Sequence, residues 1–93
     1  MVENVTRWKL LEINVEADSF LIFDGLYGNS HTYHLSDLTP NHRLEIKDVL
    51  VFESSVYILM SNSKALRLNL LTKELSPVKK SEFLTLQKLK VVS

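Results

Sequence analysis

Hydrophobic and polar residues alternate from near the start of the chain, where Leu11, Ile13 and Val15 interleave with Glu12, Asn14 and Glu16. A period of two puts each set on its own face of a strand, so residues 7–16 are expected to form a half-buried strand. Trp8 and Leu10 add apolar surface to its other face. A second strand is expected over 19–23, and Asp24-Gly25 with Gly28-Asn29 supplies turn chemistry, because Gly and Asn tolerate positive φ. The return strand of this hairpin covers 30–36, with His31, Tyr33 and Leu35 on one face and Thr32 and His34 on the other. Leu38-Thr39-Pro40-Asn41 then interrupts the pattern, since proline donates no ladder hydrogen bond and restricts its predecessor.

In the second half, Leu44 and Ile46 alternate with Arg43, Glu45 and Lys47. A bulge or break is expected near Asp48, ahead of the apolar run Val49-Leu50-Val51-Phe52. A second run, Val56-Tyr57-Ile58-Leu59-Met60, leads into the turn Ser61-Asn62-Ser63-Lys64. Leu66, Leu68 and Leu70 then alternate with Arg67 and Asn69, and Ser76-Pro77 is expected to end the region. From 81 to 92, Phe83, Leu86 and Leu89 fit a short terminal helix capped by Ser81. Leu84 and Leu86 also fit strand alternation.

The halves resemble each other at an offset of 33 residues: Leu11-Glu12-Ile13 matches Leu44-Glu45-Ile46, Asn29-Ser30 matches Asn62-Ser63, and Leu35 and Leu38 match Leu68 and Leu71. Residues 8–41 and 42–75 are therefore a candidate internal repeat of one strand-plus-hairpin unit. The second hairpin is similar to the paired strands of a propeller blade over about twenty residues, although two such units cannot close a propeller. The runs 49–52 and 56–60 are apolar on both faces, a pattern of strands covered on both sides. The candidates for the cover are the rest of a barrel or sandwich, the terminal helix or another chain, and oligomerisation or a partner is expected to complete the burial.

Composition narrows the picture. The 93 residues suit one small domain, and 45% hydrophobic content is enough for one core. With no cysteine there is no disulfide, thiolate site or cysteine nucleophile, which suits a reducing compartment, and cytoplasmic location is the expectation. No apolar run approaches the roughly 18 residues of a membrane span, and the first residues lack the pattern of a leader. Formal net charge is zero, so no strong global field attracts polyanions. The charge is uneven, however: residues 1–42 carry two basic and six acidic side chains, and residues 43–93 carry nine and five.

Candidate chemistry is sparse. His31 and His34, with His42, Asp24 and Asp37, contain metal-ligand types, but strand positions three apart face opposite ways, and neither a metal nor another cofactor is expected. There is no nucleophile-elbow motif and no glycine-rich phosphate loop, and Glu12 and Glu45 read as solvated strand carboxylates, so no catalytic residue is assigned. Tyr27, Tyr33 and Tyr57 are candidate stacking platforms for a single-stranded nucleic acid. Arg43, Lys47, Lys64, Arg67, Lys79, Lys80, Lys88 and Lys90 are its candidate phosphate contacts, with Tyr57, Lys64, Arg67, Lys79 and Lys80 the core of that alternative. The loop carrying Leu26, Tyr27 and Asn29 is longer than a tight hairpin needs, and is the candidate protein-binding surface unless Leu26 and Tyr27 fold back onto the core.

The sequence thus reads as a mainly β domain of six to seven strands from two similar halves, an antiparallel barrel or sandwich with a short C-terminal helix. The expected function is non-catalytic protein–protein interaction, as an accessory subunit and homo-oligomer. Single-stranded nucleic-acid binding is the alternative, and a small enzyme is a further, less favoured one.

Overall fold

The computed structural model describes residues 7–39 and 44–92. Strands β1 (Trp8–Asn14), β2 (Ser19–Asp24) and β3 (Asn29–His34) form one antiparallel sheet in the order β1-β2-β3. A single helical turn, α1 (Leu35–Leu38), follows. Strands β4 (Ile46–Phe52), β5 (Ser55–Met60), β6 (Ala65–Asn69) and β7 (Leu75–Val78) form the second sheet in the order β4-β5-β6-β7, and helix α2 (Lys80–Val92) ends the chain. The sheets are separate and do not close into a barrel.

One face of each sheet contributes to a shared core. Trp8, Phe20 and Ile22 of the first sheet belong to the same cluster as Ile46, Val49, Val51, Val56, Ile58, Met60 and Leu68 of the second. The opposite face of the second sheet presents Leu50, Tyr57 and Ala65, and α2 covers it with Phe83, which is fully buried. Both faces of β4 and β5 are therefore covered from within the chain, one by the first sheet and one by α2. These two strands do not need a second molecule to complete their burial.

Several boundaries differ from the sequence pattern for identifiable reasons. The third strand stops at His34, because residues 35–38 turn helical, and β4 begins at Ile46. Its bulge lies between Ile46 and Asp48, and β1 has one between Leu10 and Glu12. Ser76-Pro77 does not end the region but lies inside β7. Pro77 pairs with Leu66 between the pairs Ala65–Val78 and Arg67–Ser76. The Asn69 N–H donates to the Glu74 carbonyl at 2.8 Å, so alternate residues from Asn69 face β7, and Pro77 occupies a position with no ladder bond to make. Ser81 is not a cap: it is the second residue of α2, whose first turn closes on the Lys79 carbonyl through the Glu82 and Phe83 N–H groups at 3.0 and 3.3 Å.

The three-stranded sheet and the first three strands of the second sheet share hydrogen-bonded landmarks. Leu35 donates its N–H to the Asp18 carbonyl, and Leu70 donates to the Ser54 carbonyl, both at 2.8 Å. Gly25 donates to Arg7 at 2.7 Å, and Ser61 donates to Glu45 at 2.9 Å. Leu35 and Leu70 are equally buried, each 2% exposed. The hydrogen bonds thus pair Leu35 with Leu70, whereas the 33-residue offset pairs it with Leu68. Alternating leucines superpose on themselves at every shift of two, so the pattern alone leaves the register free.

Candidate functional site

The candidate surface is built where β1 begins and β2 ends. The pairing of Trp8 with Asp24 brings Arg7 beside the 25–28 loop. Arg7 grips Asp24 with two parallel bonds, Nε to Oδ1 at 2.8 Å and Nη2 to Oδ2 at 3.0 Å, the fork geometry that guanidinium offers a carboxylate. Among the described residues this is the one ion pair. The same Asp24 Oδ1 accepts the Leu26 N–H at 3.0 Å, and the Asp24 carbonyl accepts the Gly28 N–H at 2.8 Å. Gly28 has φ of +71°, a conformation costly for residues with a Cβ. One buried carboxylate therefore fixes both the strand end and the loop backbone.

The guanidinium also organises rings. It lies over Trp8, 4.3 Å from the ring centroid, and 5.4 Å from the centroid of Tyr27. Cation–π attraction thus orients Tyr27 although its side chain stays outside the core. Leu26 is 63% and Tyr27 73% exposed, the two largest exposures among the described large hydrophobic residues. They do not fold back as a lid. The Asp24 carboxyl is held below the usual carboxylate range, chiefly by the hydrogen bond from Arg7 and with help from the Leu26 and Tyr27 N–H groups, against the opposing effect of burial. The Arg7 guanidinium is raised for the same reason, its hydrogen bond to Asp24. The pair is ionised at neutral pH. Asn29, pairing with Asp24 across the hairpin, is exposed at the start of β3.

The other sequence candidates are dispersed. Tyr57 is 7% exposed in the cluster with Leu50, Ala65 and Phe83, where no base can stack on it. Arg67, its cross-strand neighbour, is half-buried, donates from Nε to Ser55 Oγ at 3.1 Å, and lines a polar cleft of about 320 Å³ with Asn69, Glu74, Leu75 and Ser76. Lys64, Lys79 and Lys80 are exposed, and continuing the register past the Ala65–Val78 pair sets Lys64 opposite Lys79. Tyr33 stacks on Phe20 at 5.5 Å, and its hydroxyl meets Lys73 Nζ at 3.2 Å. His31 and His34 lie on opposite faces of β3, His42 and Arg43 fall outside the described residues, and no group of three or more metal-ligand side chains occurs among the described residues. Glu12 and Glu45 are exposed. No helix among the described residues is long and apolar enough to cross a membrane.

Sequence reasoning missed Arg7 and Trp8 as supports for the loop. The four-residue connection after Asn14 would by itself set Trp8 opposite Gly25; the bulge between Leu10 and Glu12 moves it opposite Asp24, and the alternation of residues 7–16 carries no sign of that bulge. Compared with models of protein families, with curated proteins and with solved structures, the chain matches none.

Proposed function

We propose that this chain is a non-catalytic protein interaction module whose recognition surface is the 25–28 loop, with Leu26 and Tyr27 as its contact residues. The observation that carries this reading is the combination of exposure and order. Two large apolar side chains stand out from the surface, on a backbone fixed by Asp24 and with the Tyr27 ring held by Arg7. A pre-ordered aromatic loses little conformational freedom on contact, which is why such side chains serve as anchors at interfaces. Capture of partners on the tagged chain from its source lysate, after nuclease treatment, tests the class of ligand. A defined protein retained by the parent and lost from the Leu26→Ser/Tyr27→Ser double variant is the expected result. Retention by both proteins alike contradicts the reading.

A second reading, binding of single-stranded nucleic acid, draws on the placement of Lys64 beside Lys79 and Lys80. With Tyr57 buried, that surface offers phosphate contacts without its stacking platform. Recovery that collapses on nuclease treatment, and binding that falls steeply with salt, favour this second reading.

A further inference from the structure

Among the described residues four strands stand at sheet edges, and three of them are modified in ways that discourage pairing with another chain. β1 and β4 carry bulges, and β7 carries Pro77. β3 differs. Its sequence Asn-Ser-His-Thr-Tyr-His has no proline, lysine, arginine or carboxylate, its register to β2 is unbroken, and it is exposed except for half-buried Tyr33.

The outward backbone groups of β3 follow from Leu35. Its N–H donates to the Asp18 carbonyl in continuation of the β2–β3 register, so Tyr33, His31 and Asn29 face β2. Ser30 and Thr32 then direct their N–H and C=O groups away from the sheet, as His34 does its N–H, while the His34 carbonyl, at the N-cap of α1, accepts the first bond of that turn. In the second sheet Leu70 makes the matching bond to Ser54, and the residues facing outward from β6 are Ala65, Arg67 and Asn69. Those groups are taken up by β7, as the bond from Asn69 to Glu74 shows. The free groups of β3 are therefore the counterparts of those that β7 satisfies, and among the described residues the first sheet lacks a fourth strand at a position shaped to take one.

We propose that this position is filled by β3 of a second copy of the chain, antiparallel about a two-fold axis at Thr32, giving a continuous six-stranded sheet. The pairing is self-complementary: Thr32 faces Thr32 of the partner copy, and Ser30 faces its His34, so no like charges meet. This neutrality matters because residues 7–39 carry two cations against five carboxylates, and β3 is the strand through which two copies approach without bringing carboxylates together. The dimer forms irrespective of what the 25–28 loop binds, and it places the two loops at opposite ends of the paired strands.

Sedimentation equilibrium of the full chain from about 1 µM to about 1 mM tests the proposal. The mass is expected to rise from 10.7 kDa to twice that value and stop there. Over the same range amide exchange at Ser30, Thr32 and His34 is expected to slow, while Val56 and Ile58 stay protected throughout. Thr32→Pro removes an outward N–H without touching the β2–β3 ladder and is expected to weaken the dimer at least about tenfold. Thr32→Lys sets two ammonium groups opposite each other and serves the same purpose if the proline variant fails to fold. A monomer across the range, growth beyond a dimer, or a folded Thr32→Lys protein that dimerises as well as the parent overturns the proposal.

Discussion

The Gln87 carboxamide in α2 donates to Asp48 Oδ2 in β4 at 2.9 Å, while Asp48 Oδ1 accepts the Val49 N–H at 2.8 Å. One carboxylate thereby joins the helix to the strand just past its bulge and fills a donor where the ladder is disturbed. The bond sets the helix so that Phe83 lies over Leu50, Tyr57 and Ala65, and Leu86 packs at the margin of the same cluster. The helix is the cover that the doubly apolar strands require.

Truncating that contact is expected to be costly. Phe83→Ala should destabilise the fold by about 3–5 kcal/mol, the range for a fully buried phenylalanine. Leu89→Ser, on a side chain 53% exposed, should stay within about 0.5 kcal/mol of the parent. Urea midpoints measure both, and a Phe83→Ala protein as stable as Leu89→Ser would remove α2 from the structural account.

The Arg7–Asp24 pair makes stability depend on pH in a definite direction. Because hydrogen bonding by Arg7 depresses the Asp24 carboxyl in the folded state, its contribution is complete above the ordinary carboxylate value of about 3.9. The contribution falls as pH drops through the depressed value. Asp24→Asn is expected to lower stability at neutral pH and to flatten the acid limb below about pH 4. Thermal unfolding of parent and variant from pH 7 downward measures it, and parallel acid limbs would contradict this role for Asp24.

The β4–β5 connection contains only Glu53 and Ser54, between the paired Phe52 and Ser55, and Glu53 adopts φ of +56°. That conformation costs a residue with a Cβ about 1–2 kcal/mol, against about 0.5–1 kcal/mol for the extra freedom glycine has when unfolded. Glu53→Gly is therefore expected to stabilise the chain by up to about 1 kcal/mol. A lowered urea midpoint would show that the Glu53 side chain contributes more than its backbone costs.

The strands were legible because their faces differ: Leu66, Leu68 and Leu70 against Arg67 and Asn69 declares a strand whatever packs on it. The doubly apolar runs 49–52 and 56–60 correctly announced cover on both sides, but periodicity carries no information on which element supplies it. Pro77 misled because the rule against proline in strands concerns central positions, and only the register shows that its missing N–H falls where none is needed. Leu26 and Tyr27 were visible as an overlong loop between glycines. Their supports were not, because Arg7 and Asp24 are separated by a whole hairpin and meet only through the pairing of Trp8 with Asp24.

The contact role of the 25–28 loop is tested most directly by measuring, for parent and Leu26→Ser/Tyr27→Ser protein side by side, both the thermal midpoint and the affinity for the protein captured by the parent. The account expects affinity to fall by at least about tenfold, as for loss of an aromatic anchor, with the midpoint unchanged because neither side chain is in the core. Unchanged affinity, or a midpoint that falls as far as affinity does, would contradict it.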